Sequence, residues 1–245
     1  MNEIDNFKTE GKGRIENYQS DEVLRNASKD FLYATIRNKY SYNFTWMGRP
    51  IIQYPQDMVA MQEIIWKVKP DLIIETGIAH GGSLIMYASF LEMMNIEKGH
   101  VLGIDIDIKK HNRIEIERHP MFKRITMIEG SSISNETTEQ VKSFAKDYKK
   151  IMLVLDSMHT HDHVLKELEL YSNLVTKGSY CVVFDTVVED LPEHTYSDRP
   201  WGKGNNPKTA ACEFLKTHPE FEIDKSIQNK LLITVAPDGF LKKIK

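Results

Sequence analysis

Two aspartates and one histidine stand where predicted strands end, and together they could hold a metal ion and move a proton. Asp156 ends the apolar run IMLVLD, Asp185 ends the run SYCVVFD, and His159 lies three residues beyond Asp156. Two carboxylates with further oxygen ligands suit Mg²⁺, which recruits one or two protein carboxylates and keeps several waters. An imidazole with an ordinary pKa of about 6.5 can accept a proton near neutral pH. The pattern predicts a cation site beside a general base.

Other interpretations of this histidine-rich turn stay open. His159, His161 and His163 stand close together, as in some zinc sites, but their alternate spacing and the lack of thiolate ligands disfavour zinc. A histidine at the start of a helix can also be a cap or a packing residue. We expect His161 and His163 to be structural or surface groups.

A glycine-rich stretch, DLIIETGIAHGGS at residues 71–83, predicts a buried strand, a tight turn and the N-terminus of a helix. Gly77, Gly81 and Gly82 keep the turn open, so that unpaired backbone N–H groups can approach a nucleotide-like ligand. The alternative is that any α/β domain needs a glycine turn after its first strand.

Two further turns follow downstream strands. VLGIDID lies about thirty residues after the first strand, which is the length of a βαβ crossover, so the two strands should be parallel neighbours. Asp105 near its carboxyl end can accept hydrogen bonds from a ribose diol; Asp107 competes for this role, and a helix cap is the structural alternative. RITMIEGSS predicts a third strand, whose end at Ser131 and Ser132 would lie against a base.

The predicted elements bring these residues to one place. The carboxyl ends of parallel strands share one edge of a sheet, and ligands of open α/β sheets bind outside that edge. The candidate residues expected there are Glu75, Gly77, Asp105, Ser131, Asp156, His159 and Asp185. FEID and NKLLITVAPDGFLKKI, linked by DKSIQN, predict a C-terminal antiparallel hairpin.

The remaining segments frame this sheet. Residues up to about Gln19 are charged and lack apolar periodicity, which favours a flexible or partner-ordered arm, and a helix should follow from Ser20 to about Ile36. An aromatic segment at 40–54 either plugs the core or walls a pocket. The stretch 189–207 is long and rich in Pro, Gly, Asn and Asp, as in lids and substrate walls.

Composition limits the function classes. The 245 residues fit one large domain, and the net charge of -3 argues against a general nucleic-acid binder. Two cysteines give no disulfide framework, the N-terminus is too polar for a signal peptide, and no run approaches the roughly 18 apolar residues of a membrane span. We expect a cytoplasmic protein that binds no membrane.

From Trp46 onward the sequence resembles the cephalosporin hydroxylase family. The matching stretches are TWMGRPIIQYPQDMVAMQEII, IIETGIAHGGS, GIDIDI, LVLDSMHTHDHVLKELELYSNLV and GSYCVVFDT. The family consists of S-adenosylmethionine-dependent, Mg²⁺-associated O-methyltransferases, and its relatives include enzymes that methylate sugars of macrolides and of surface glycolipids. The resemblance implies α/β architecture: a Rossmann-like class I methyltransferase sheet, mostly parallel with a C-terminal antiparallel strand and helices on both faces. Residues 1–45 would form an arm and helix, and residues 46–245 the methyltransferase domain.

The resemblance also implies roles for individual residues. The S-adenosylmethionine pocket would be built by Glu75, Gly77, Ala79, Gly81, Ser83, Asp105, Ser131, Ser132 and Asp156. Asp156 and Asp185 match metal ligands, and His159, with Asp156, matches the catalytic groups. Many relatives have a second carboxylate where this chain has Phe184, so Thr186 or Glu189 would have to complete the metal site, or the site has fewer carboxylates or no metal.

These inferences predict an O-methyltransferase that acts on a hydroxyl of a sugar or other small-molecule or glycan acceptor. The rival is a non-catalytic S-adenosylmethionine-binding partner of another enzyme. A nicotinamide-dependent oxidoreductase is disfavoured because ETGIAHGG lacks the GxGxxG spacing. We expect a homo-oligomer whose interface includes the N-terminal helix, and acceptor contacts from Trp46, Arg49, Arg199 and Trp201.

Overall fold

The computed structural model describes residues 2–245, apart from the side chain of His194. Its centre is a seven-stranded sheet with the strand order β5-β4-β3-β6-β7-β9-β8. Strands β3 to β7 run parallel, and β9 is antiparallel to both of its neighbours. The strands are β3 (Leu72–Thr76), β4 (His100–Asp105), β5 (Ile125–Glu129), β6 (Ile151–Leu155), β7 (Tyr180–Val183), β8 (Phe221–Ile223) and β9 (Phe240–Lys243); β1 (Phe44–Trp46) and β2 (Arg49–Ile51) form a separate hairpin. The predicted mostly parallel sheet is confirmed.

Helices cover both faces of the sheet. They are α1 (Glu3–Tyr18), α2 (Glu22–Arg37), α3 (Pro55–Val68), α4 (Gly82–Met93), α5 (Lys110–Glu117), α6 (Asn135–Ala145), α7 (His161–Tyr171), α8 (Pro207–Thr217) and α9 (Lys225–Leu231). Successive strand residues point to opposite faces, so Ile73 of β3 packs with α3 and α4, whereas Leu72 and Ile74 pack with α6 to α8. Burial on both faces explains why these strands read as continuous apolar runs.

Local signals set the helix boundaries that the sequence indicated. Pro55 occupies the first turn of α3, and Lys69 in the left-handed region ends the helix just before Pro70. Ser134 caps α6 by accepting a hydrogen bond from the Thr137 N–H. Helix α2 covers the predicted range, and its Thr35 hydroxyl contacts the Tyr54 hydroxyl at 2.8 Å.

The segment before Gln19, expected to be a flexible or partner-ordered arm outside the core, is helical and buries no residue. Glu3–Tyr18 forms a helix, whose first turn is capped by the Asn2 side chain and carries Glu3 and Asp5. Capping and acidic residues at a helix N-terminus stabilise it locally, without an apolar stripe. No residue of α1 is buried.

The predicted C-terminal hairpin is wrong in its connection. Strands β8 and β9 do pair antiparallel, but residues 229–239 are not a strand, and α9 lies between the two strands. Asp224 caps α9 by accepting from the Ser226 N–H, and the buried Asp57 accepts hydrogen bonds from the Thr234 hydroxyl and the Val235 N–H. The contacts of Asp57 tie the segment after α9 to α3.

The aromatic segment both fills the core and forms part of a cavity wall. The Trp46 indole donates to the Ser89 hydroxyl at 3.0 Å and packs edge-on against Phe90, while Tyr42 borders the cavity described below. Among residues 2–245 no helix is long and apolar enough to span a bilayer.

Candidate active site

A cavity of about 960 Å³ opens at the carboxyl edge of the sheet. The glycine turn after β3, helix α2, the aromatic segment and the 189–207 stretch all contribute to its wall. Its volume lies at the upper end of the range for small-molecule pockets. The residues that matter for its chemistry are Gly77, Ser83, Asp156, His159, Asp185 and Trp201.

Asp156, His159 and Asp185 form the polar centre of this cavity. The backbone places them there: Asp156 follows β6 and its N–H donates to Thr76 O, and Asp185 follows β7 with a left-handed φ of 53°. His159 Nδ1 lies 3.0 Å from Asp185 Oδ2, and His159 Nε2 lies 3.5 Å from Asp156 Oδ1. One potential ligand atom from each of the three residues lies within 4.8 Å of the others.

The charges of this cluster shift one another's pKa values. Burial by itself lowers the pKa of His159, but the two facing carboxylates outweigh it and raise that pKa to about 10. Burial raises the pKa of Asp156, and Asp185 adds to that effect, while His159 opposes it. The imidazolium therefore neutralises part of the carboxylate charge, and a divalent cation between the carboxylates would take over that task.

The donor set fits a hard cation. Two carboxylates converge with an imidazole, and Gln53, which also borders the cavity, donates its amide N–H to Asp156 Oδ2 at 3.2 Å. Oxygen donors of this kind suit Mg²⁺, whereas the thiolates typical of structural zinc sites are missing from this described cluster.

The other suggested ligands are engaged elsewhere. The fully buried Thr186 donates its hydroxyl to Pro237 O at 2.7 Å. Glu189 Oε2 accepts from Gly204 N–H at 2.8 Å and from the Asn206 amide at 2.5 Å. Thr186 as a ligand stays a prediction, and its bond to Pro237 weighs against it.

The glycine turn presents its backbone to the same cavity. Gly77 has φ +92°, and a Cβ there would lie 2.0 Å from Asp156 O, so the turn needs glycine at this point. Gly77, Ala79 and Ser83 border the cavity, while Gly81, at φ +80°, caps α4, and a Cβ there would lie 2.3 Å from the Ile116 side chain.

Glu75 lies beneath this turn. It is fully buried, accepts a hydrogen bond from the Ser83 hydroxyl at 2.7 Å, and its Oε1 has no protein partner among the described residues. Burial raises the pKa of Glu75 well above its ordinary value.

Asp105 holds the turn from the neighbouring strand. Its Oδ2 accepts from Ile78 N–H at 2.8 Å and Ala79 N–H at 3.2 Å. Asp107 instead pairs with Lys109 at the exposed surface. Asp105, unlike Asp107, therefore contacts the backbone of the glycine turn through its side chain.

The serines after β5 lie at the margin. The buried Ser132 hydroxyl donates to Glu167 Oε1 at 2.6 Å, and Ser131 accepts the Ser134 N–H through its carbonyl oxygen. In the described part of the chain, Asp105, Ser131 and Ser132 do not border the cavity itself. Their roles toward a ribose and a base stay predictions.

The 189–207 stretch reaches over the histidine. The Trp201 ring centroid lies 4.9 Å from that of His159, and the Arg199 guanidinium lies 5.5 Å from the Trp201 ring. Both residues border the cavity, and their contact with an acceptor stays a prediction. Trp46 and Arg49 do not: Trp46 packs in the core, and Arg49 donates to His80 O.

Sequence reasoning missed two contributors. Gln53 was part of the aromatic segment, and a polar residue among Ile51, Ile52 and Tyr54 was the signal that could have found it. Tyr33, Ile36 and Arg37 of α2 also border the cavity, although that helix was expected to cover a face or an interface.

Known proteins resemble this chain over most of its length. A family model described as Rhamnosyl O-methyltransferase/CmcI matches residues 38–244. The rhamnosyl O-methyltransferase of Mycobacterium leprae (strain TN) is 33% identical over 200 residues, covering 80% of this chain and 82% of that protein. The protein of the same name from Mycobacterium bovis (strain BCG / Pasteur 1173P2) is 30% identical over 202 residues, covering 80% and 77%.

A solved structure confirms the fold. CmcI, described as a Mg-SAM complex, superposes with a TM-score of 0.59 at 19% identity, covering 83% of this chain and 78% of that one. At this identity the likeness establishes the Rossmann-like methyltransferase fold and nothing more.

Proposed function

The chain belongs to the rhamnosyl O-methyltransferase/CmcI family, and we propose that it transfers the methyl group of S-adenosylmethionine to a hydroxyl of a sugar in a small-molecule or glycan acceptor. The observation that carries this proposal is the cluster of Asp156, His159 and Asp185, which borders the same cavity as the glycine turn. Donor and acceptor would therefore meet within one cavity.

The glycine turn would bind the methyl donor. Gly77 and Ala79 bring backbone groups to the cavity, and Ser83 with the buried Glu75 supports the turn from below. A donor bound in a fixed position would lower the activation free energy by orientation, because holding two reactants in line can supply roughly 7–11 kcal/mol.

Asp156 and Asp185 would hold Mg²⁺. The converging carboxylates fit this ion, as described above. When bound, the cation lowers the pKa of a neighbouring hydroxyl and neutralises the paired carboxylates.

His159 would take the proton in its neutral form, which requires a cation between Asp156 and Asp185 to balance the carboxylate charge in place of the imidazolium. Its Nδ1 is engaged with Asp185 at 3.0 Å, so Nε2, which makes the longer contact of 3.5 Å with Asp156, is the nitrogen available to the acceptor. The acceptor oxygen forms a bond to the methyl carbon as the methyl–sulfur bond breaks, and the hydroxyl proton passes to Nε2. S-adenosylhomocysteine and the methyl ether are the products.

The sugar acceptor is inferred from the curated relatives, whose names specify rhamnosyl groups. Trp201 and Arg199 supply an aromatic face and hydrogen-bond donors at the mouth of the cavity, which suit a sugar ring. We further propose self-association through the N-terminal helices, whose Ile4, Phe7 and Val23 are exposed, and a cytoplasmic location, which agrees with two unpaired cysteines.

Methyl transfer from labelled S-adenosylmethionine to a panel of rhamnosides and other glycosides tests the function. We expect label in the glycoside, loss of transfer in EDTA, and recovery on addition of Mg²⁺. Transfer that persists in EDTA would remove the cation from the proposal. Tight cofactor binding with no transfer to any glycoside would support the non-catalytic partner instead.

A further inference from the structure

The side-chain amide of Gln53 is buried, and only one of its two polar atoms has a hydrogen-bond partner among the described residues. Its side chain is 4% exposed and borders the cavity, and its Nε2 lies 3.2 Å from Asp156 Oδ2. Because a carboxylate oxygen can only accept, the nitrogen must face Asp156, and the amide oxygen must point elsewhere. That oxygen has no hydrogen-bond partner among the described residues. Leaving a buried acceptor unpaired costs about 1–3 kcal/mol, so a missing partner is indicated.

The proposed cation site has few oxygen ligands from the protein. Asp156 and Asp185 are the only carboxylates of the described cluster. Phe184, next to Asp185, is apolar and buried in the core. The Thr186 hydroxyl is committed to Pro237 O, and Glu189 is committed to the ends of the 189–207 stretch. Gln53 contributes a buried side-chain oxygen that has no partner among the described residues, and its amide nitrogen already contacts the Asp156 carboxylate.

We propose that Gln53 binds the divalent cation through its Oε1, together with Asp156 and Asp185. Amide carbonyl oxygens are suitable ligands for Mg²⁺ and Mn²⁺. The same amide holds Asp156 in place through its Nε2, so one side chain would both orient a ligand and act as one. This inference rests on the cation of the proposed function, but not on the identity of the acceptor.

Binding of Mn²⁺, followed by the loss of its free signal in electron paramagnetic resonance, tests the proposal without any turnover. The informative variants are Gln53→Met, which removes both amide groups at similar length, and Gln53→Glu, which keeps an oxygen but removes the donor. Gln56→Met is the matched control, because Gln56 also has a buried unpartnered Oε1 but does not border the cavity. Affinity for S-adenosylhomocysteine, measured by calorimetry, verifies that each variant keeps its pocket.

We expect Gln53→Met to weaken Mn²⁺ binding about tenfold or more, Gln53→Glu to retain or strengthen it, and Gln56→Met to leave it within about twofold of wild type. A Gln53→Met variant that binds Mn²⁺ normally would overturn the proposal. If Gln53→Glu is as weak as Gln53→Met, the amide acts only by holding Asp156, and Oε1 is not a ligand. Wild-type protein that binds no Mn²⁺, or an Asp185→Asn variant that binds it normally, would refute the cation site itself.

Discussion

His159 is the side chain on which the proposed chemistry depends most directly. It lies between Asp156 and Asp185 and beneath Trp201. We expect His159→Ala to lower kcat about 100-fold or more, because general-base catalysis is worth roughly 10²–10⁴ in rate. Affinity for S-adenosylhomocysteine should not change, since the glycine turn is untouched. Steady-state kinetics and calorimetry check both expectations.

His161 offers the control for this prediction. Its ring contacts Thr209 and Glu213 of α8 and does not border the described cavity. His161→Ala should therefore keep most of the turnover. Equal losses in the two variants would indicate that His159 is structural.

Asp57 gives a pH-dependent contribution to stability. Burial raises its pKa from an ordinary value of 3.8 to about 7, against hydrogen bonds from Thr234 and Val235 that lower it. The folded state therefore keeps a proton that the unfolded chain has released. This contribution is fully present below about pH 4, declines as the pH rises, and is lost above about pH 7.

Asp57→Asn mimics the protonated carboxyl and should remove that pH dependence. At about 1.4 kcal/mol for each pKa unit, wild type should lose up to ~4 kcal/mol relative to the variant between pH 4 and pH 8. Urea unfolding in EDTA at several pH values measures the difference. Parallel stability curves for the two proteins would contradict the assignment.

Single residues differed in how visible they were in the sequence. Asp156 and Asp185 could be predicted because each ends an apolar run, and parallel strands bring such ends to one edge. Gln53 could not, because its contact with Asp156 spans 103 residues and depends on how the aromatic segment folds over the sheet. No local pattern encodes that contact.

Among the elements, the turn between β3 and α4 has the strictest geometry. At Gly77 a Cβ would collide with Asp156 O, whereas at Gly178, which has a similar φ of +81°, no atom lies within 4 Å. Gly178→Ala should cost roughly 1–2 kcal/mol for the left-handed backbone alone. Gly77→Ala adds a clash with Asp156 O, so it should lower the free energy of unfolding by clearly more and abolish cofactor binding.

Urea unfolding and S-adenosylhomocysteine binding compare these two variants directly. If the Gly77→Ala protein is as stable as Gly178→Ala and binds the cofactor normally, the backbone at Asp156 must move away from Gly77 without loss of stability. The proposed role of the turn as a rigid floor would then fail.

The elements were predictable where one period dominates. Buried parallel strands such as β3 and β6 are short apolar runs bounded by polar residues. This pattern was enough to predict that they are strands and in which order they occur along the chain. The segment NKLLITV is also rich in apolar and β-branched residues, but it does not form a strand. Its Thr234 and Val235 bind Asp57 of α3, so a tertiary contact overrides its strand propensity.

At the scale of the whole molecule, the two N-terminal helices contribute unequally to the wall of the cavity. Helix α1 buries no residue, whereas α2 supplies Tyr33, Ile36 and Arg37 to the cavity wall, and the Tyr33 hydroxyl donates to Asp190 O at 2.5 Å. The matched part of the family begins only at residue 38. The wall of the cavity is thus partly built by residues outside the family match.

Two deletions separate these contributions. Removal of residues 2–19 should leave kcat and the acceptor KM unchanged, because α1 does not border the described cavity. Removal of residues 2–37 should raise the acceptor KM while S-adenosylhomocysteine still binds, because the glycine turn and Asp105 lie in the retained part. If the longer deletion leaves the acceptor KM unchanged, α2 covers the cavity without contacting the acceptor, and acceptor specificity must come from the aromatic segment and the 189–207 stretch.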